Sequence, residues 1–160
     1  MNYRIVDKDT FDVVGVHRDF SLCNGENMRL IPRLWDEVHE NGVNDHLIEL
    51  NNGKIKGVLG VCVAHDEQQR EESMTYWIGV DYVGEAPDQF SRLSIPAAKW
   101  AVFEVRGPMP DAMQKVWTQI YGEWLPSSGY VQSGSIQFEY YTDQDPYSLD
   151  CYSEIWIPVE

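Results

Sequence analysis

Two stretches of this sequence carry the same apolar stripe at helical spacing. Ile31, Leu34, Trp35 and Val38 make the first, and Met113, Val116, Trp117 and Ile120 the second, with Trp117 lying 82 positions after Trp35. Positions i, i+3, i+4 and i+7 share one face of an α-helix, so each stripe marks a helix that buries one side. Both helices are expected to begin near a proline, Pro32 and Pro110, and to end near Gly42 and Gly122. A tryptophan inside such a stripe belongs to a core. Trp35 and Trp117 are therefore expected to be buried at equivalent places on two helices that share one sheet face.

The strands repeat as well. Trp77-Ile78-Gly79-Val80 matches Trp156-Ile157-Pro158-Val159, and Phe11 to Arg18 resembles Trp100 to Gly107. Between each helix and its last strand lies another strand candidate, Gly57 to Val63 in the first half and Ser135 to Tyr141 in the second. Each half reads strand, helix, strand, strand. The expected fold is α+β: two tandem β-α-β-β units of the SHS2-like kind, halves at about 1–82 and 95–160, related by a pseudo-twofold axis. They form one domain over 1–160, with an antiparallel sheet carrying helices on one face and a ligand groove on the other. Asp81 to Asp88 is expected to connect the halves; Leu125 to Gly129 and Asp143 to Pro146 read as turns, and His65-Asp66-Glu67 as a loop apex.

Charge narrows the function. Twelve basic against twenty-six acidic residues leave a net charge of −14, the wrong sign for a surface that must neutralise phosphates, so direct nucleic-acid binding is not expected. The first residues, Met1 to Lys8, lack the apolar core of a signal peptide, and no run has the length of a membrane span, so a cytoplasmic protein is expected. Cys23, Cys62 and Cys151 are too scattered for a disulfide framework or a zinc site and are read as small, mostly buried residues. Neither a metal nor a cofactor is called for. His17, His39, His46 and His65 are dispersed, and no Ser-His-Asp spacing, phosphate loop or HExxH pair appears.

The six Trp and nine Tyr exceed what a core of this size needs. Strand alternation assigns them to faces. Ile155, Ile157 and Val159 would meet the helices, leaving Tyr152, Glu154, Trp156 and Pro158 opposite. Ala101, Phe103 and Val105 likewise leave Trp100, Val102, Glu104 and Arg106, while Ile136, Phe138 and Tyr140 leave Gln137, Glu139 and Tyr141. Thr75 and Trp77 join that second face. The helix-free face is thus expected to gather Trp77, Trp100, Trp156, Tyr141 and Tyr152 with Glu104, Glu139 and Glu154 as the ligand-binding set. Rings offer a cation roughly 0.5–2 kcal/mol each when desolvated, and a buried carboxylate supplies the counter-charge.

Phe11 to Val16, Ile95 to Phe103 with Gly107-Pro108, Glu123 to Tyr130, Phe138-Glu139-Tyr140 and Glu154 to Val159 together resemble the GyrI-like family over nearly the whole chain. That family supplies the effector-binding domains of AraC- and MerR-type regulators, including multidrug-binding ones. The resemblance implies the duplicated β-α-β-β fold, a ligand in the groove between halves, pocket glutamates at Glu139 and Glu154, and a pocket ring at Trp156. Glu104 is a candidate from strand alternation alone. The chain is expected to start directly at the effector domain, with no helix-turn-helix before it, which departs from the regulators' pattern. The expected function is a stand-alone module that senses or sequesters hydrophobic, cationic, drug-like molecules. An alternative is hydrolysis of cyclopropane-bearing electrophiles, with a pocket glutamate as general base. A third is a protein-interaction role, such as topoisomerase inhibition. Duplication supplies both halves internally, so a monomer or weak dimer suffices.

Overall fold

The computed structural model describes residues 1–65, 73–142 and 147–160. Its strands are β1 (Tyr3–Lys8), β2 (Phe11–Ser21), β3 (Val58–Ala64), β4 (Ser73–Asp81), β5 (Ser91–Ile95), β6 (Ala98–Arg106), β7 (Ile136–Tyr141) and β8 (Tyr152–Pro158). Helices α1 (Glu26–Glu40) and α2 (Val43–Leu50) fall between β2 and β3. Between β6 and β7 lie α3 (Asp111–Gln119), a wider π-type turn over Ile120–Trp124, and α4 (Leu125–Ser128). All eight strands join one antiparallel sheet in the order β1-β6-β8-β7-β3-β4-β2-β5. That order is unchanged when β1 to β4 are exchanged for β5 to β8. Strands β7 and β3 meet at its centre.

The edge strands cross between the halves. β1 leads into β2 yet pairs with β6, and β5 leads into β6 yet pairs with β2. Neither half keeps its own first strand. β1, β5 and α2 are absent from the sequence expectation for physical reasons. β1 is short and carries Arg4, Asp7 and Lys8, β5 offers one apolar pair in five residues, and α2 has under three turns after the Gly42 break.

Both long helices lie on the same face, as the registers require. Tyr76 pairs with Cys62, Cys62 with Gln137, Glu139 with Ile155 and Ile155 with Phe103, so these residues all point to one side. α1 and α2 bury Leu34, Val38 and Leu47 against Val14, Ile78 and Val80. α3 and the π-type turn bury Met113, Ile120 and Trp124 against Ala101, Phe103, Val105, Ile155 and Ile157. Two separate half-cores result, and the middle of the sheet is left between them.

α1 begins at Glu26 and holds Pro32 inside it, six residues earlier in its course than the proline-start expectation. Proline has no N–H to bond the carbonyl four residues back, which frees the Met28 oxygen. That oxygen accepts a long hydrogen bond, 3.5 Å, from Gln114 Nε2 on α3 and so links the two helices. The expected Leu125 to Gly129 turn is instead helical up to Ser128, closed by Gly129 in the left-handed region at φ 84°. Asp143 to Pro146 and Asp66-Glu67 lie outside the described residues. Among the cysteines Cys151 is buried and Cys62 half-buried, but Cys23 is exposed in the turn before α1, where no core reaches it.

Candidate functional site

The gap between the half-cores is a cavity of about 1250 Å³. α1 contributes Ile31 and Trp35 to its walls, α3 contributes Met113 and Trp117, and the sheet floor presents Tyr76, Glu139 and Tyr141. Exposed Leu22, Met28, Ile48 and Tyr147 also line it, so the approach from solvent is largely apolar. Trp35 and Trp117 do sit on helices of one face, but they are half-buried, because each packs on the edge of its half-core with one side toward the cavity.

Glu139 is the chemical centre of this space. It is only 7% exposed and accepts three hydrogen bonds, all from neutral groups. The Tyr76 hydroxyl donates to Oε1 at 2.7 Å, the Tyr141 hydroxyl to Oε1 at 2.9 Å, and Trp117 Nε1 to Oε2 at 2.8 Å. Trp35 Nε1 donates in turn to the Tyr76 hydroxyl at 3.0 Å, so both helix tryptophans are tied to one carboxylate. Burial raises the Glu139 pKa, and the three donors oppose that rise without cancelling it. Burial and the Glu139 charge push the Tyr76, Tyr141 and Cys62 pKa values well up. Among the described residues no cation pairs with Glu139.

Two residues with no sequence assignment complete the arrangement. Tyr76 lies beside Trp77 on β4 and is 1% exposed. Gly60 stands opposite Glu139 on β3, and a Cβ there would fall on the Tyr76 hydroxyl. Glycine in mid-strand signals such a close approach, and this was the available cue. The wider turn at Ile120–Trp124 swings Tyr121 to stack on Trp117, with ring centroids 5.9 Å apart.

The expected ligand-binding set is split by the sheet. Glu139 and Tyr141 face the helices, because β7 has the parity opposite to that expected, and the groove is on the helix side. Phe138 instead points to the helix-free face and is fully buried. There Trp77 and Trp100 belong to a third core with Leu59, Val61 and Val102. Phe138 packs on Trp100 and Trp156 with centroids 5.0 and 5.1 Å away. The alternation in β7 is ambiguous because rings occur in both phases, and the three donors around Glu139 are what make a buried glutamate tolerable on the helix side.

Glu154, Tyr152, Trp156 and Glu104 also lie on the helix-free face. Glu154 is 5% exposed and fully engaged. Arg4 Nη2 donates to it at 3.1 Å, the Tyr152 hydroxyl at 2.6 Å and Trp156 Nε1 at 3.0 Å. Burial and the Glu154 carboxylate push the Tyr152 pKa up to about 12. Glu104 sits 3.7 Å from Arg106, which in turn lies 4.8 Å over the Tyr152 ring. Arg4 already supplies the charge that Glu154 requires. Arg4→Met should cost about 1–3 kcal/mol in thermal denaturation, discounted because Arg4 is half-exposed, while leaving binding in the cavity on the other face unchanged.

Among the described residues, no helix is long and apolar enough to cross a membrane, and no three His, Cys, Asp or Glu side chains cluster to hold a metal. The sequence is 28% identical over 168 residues to the transcriptional regulator BrlR of Pseudomonas aeruginosa, covering 99% of this chain but spanning only 56% of BrlR. The fold matches SAV2435, solved bound to tetraphenylphosphonium, with a TM-score of 0.89 at 25% identity, covering 100% of this chain and 94% of that one. An integron cassette protein of Vibrio cholerae shares the fold at a TM-score of 0.71 and 17% identity, covering 99% and 95% of the two chains. A family model described as integron-associated effector binding protein matches residues 4–159, and the chain belongs to that family.

Proposed function

We propose that this chain is an effector-binding module that takes hydrophobic cations into the cavity between α1 and α3, with Glu139 as counter-ion. The carrying observation is the unbalanced carboxylate: Glu139 is buried, ringed by three neutral donors, and has no cationic partner among the described residues. A charge held in that way is costly unless an opposite charge joins it. Glu154, equally buried, has its arginine, and the contrast separates a ligand site from a structural pair. Trp35, Trp117 and Tyr141 give the cation aromatic faces. The likeness to SAV2435 supports this chemistry, since tetraphenylphosphonium is an aromatic cation. Residues 1–160 act together as one cytoplasmic sensing or sequestering domain, and a single copy contains the whole site.

Tetraphenylphosphonium should quench tryptophan fluorescence saturably, because Trp35 and Trp117 line the cavity. Trp35→Phe with Trp117→Phe should remove most of that quenching. Unchanged quenching in the double variant would place the dye elsewhere and sink the proposal.

A further inference from the structure

The cavity contains a polar group that a purely hydrocarbon cation leaves unused. Ser153 on β8 lines it, is only 1% exposed, and its Oγ has no hydrogen-bond partner among the described residues. It is the orphan of an otherwise satisfied site, because every other buried side-chain polar atom among the described residues is partnered. A buried hydroxyl without a partner is destabilising, and alanine would fill the position more cheaply. The register explains where it sits. Ser153 is directly opposite Tyr141, whose hydroxyl bonds Glu139, and Glu139 itself is opposite Ile155. Glu139 on β7 and Ser153 on β8 are therefore diagonal same-face neighbours, with backbones about 7–8 Å apart.

We propose that Ser153 is a second ligand subsite, which hydrogen-bonds a neutral polar group, a carbonyl, amide or hydroxyl, carried by the same molecule whose positive charge meets Glu139. This rests on the cation reading above and narrows it. The cavity is then built for an amphipathic cation with an uncharged hydrogen-bonding substituent roughly one diagonal cross-strand step from its charge. The hydroxyl both donates and accepts, so it serves either polarity of partner. The aromatic walls hold the ring that spans the two points, while Glu139 and Ser153 fix its direction along the sheet. Tetraphenylphosphonium, with no such substituent, would use only the first point.

Four probes separate charge from hydrogen bonding: 1-benzylpyridinium, 4-carbamoyl-1-benzylpyridinium, and their neutral isosteres diphenylmethane and 4-benzylbenzamide. Each is titrated by tryptophan fluorescence into the full chain and into Ser153→Ala. The carbamoyl group should raise cation affinity by about 5- to 10-fold in the original protein, a net hydrogen bond's worth. In Ser153→Ala that increment should vanish, while 1-benzylpyridinium binds unchanged and the melting temperature holds or rises. An increment that persists in Ser153→Ala overturns the proposal, and so does a carbamoyl group that adds nothing to the original protein, as when Ser153 holds a resident water. Cations that bind no better than their isosteres would defeat the Glu139 reading instead. The Ser153 increment is then still read on the neutral pair.

Discussion

Glu139→Gln should weaken a hydrophobic cation by about 1.5–3 kcal/mol, roughly 10- to 150-fold, and scarcely alter a neutral isostere. The amide keeps the shape of the carboxylate. Its oxygen can take the Trp117 Nε1 bond, and the Tyr76 and Tyr141 hydroxyls can rotate to accept from its NH2 group. What disappears is the charge. Two pH effects accompany this change. Protonation of Glu139 removes the counter-ion, so cation affinity should fall as the pH drops through its raised pKa, and cation binding should release protons near that pKa. Stability of the empty protein runs the other way. A carboxyl whose folded pKa is raised contributes stability that is fully present below the ordinary glutamate value and is lost as pH rises through the folded value. Denaturation of the two proteins across the acid range should show Glu139→Gln gaining on the original as pH rises. Asp12, whose pKa is lowered by Ser94 and Arg92, has the opposite trend in both proteins and cancels in the difference. Equal losses for cation and isostere would make Glu139 a shaping residue only. No loss would remove it from the site.

The two long helices and most strands were legible because they are written in periodicity, which local sterics enforce. Trp35 and Trp117 were correctly put on one face, and the α+β sheet with its helices followed. Burial was not legible in the same way. A stripe at helical spacing states which residues face inward, but it does not state whether packed side chains or an empty cavity lies there. The same limit explains β7. Its Phe138 and Tyr140 argue for one face and its Tyr141 for the other, and only the three donors from β4, α3 and β7 itself make the buried Glu139 acceptable. Those donors come from 22 and 63 positions away for Trp117 and Tyr76, beyond the reach of any local pattern. Glu154 was recognisable as special, but its partner Arg4 lies 150 positions away on an edge strand that crosses between halves. Two glutamates that sequence reading assigned to one sheet face therefore separated, Glu139 to the cavity among three neutral donors and Glu154 to the other face beside Arg4.

Replacing tryptophans on the two faces should distinguish core from cavity more sharply than any other pair of variants. Trp100 is 1% exposed and packs edge-on against Phe138 and Trp156. Trp100→Ala leaves a hole that its neighbours fill only partly, and should cost about 3–5 kcal/mol in denaturant unfolding. Trp117 is half-buried and packs on the second half-core with one side toward the cavity, so Trp117→Ala leaves a smaller hole than Trp100→Ala. Its stability cost should be about 1–2 kcal/mol, mainly from the lost Nε1 bond to Glu139. The order reverses for ligand affinity. Trp117→Ala removes an aromatic wall and should weaken a hydrophobic cation roughly 5- to 30-fold, equivalent to about 1–2 kcal/mol. Trp100→Ala, measured under conditions where it is folded, should bind within about twofold of the original, because its ring lies on the far side of the sheet. Equal destabilisation by the two substitutions would show that Trp117 packs as core in solution with the cavity closed. A large affinity loss in folded Trp100→Ala would carry the ligand to the helix-free face.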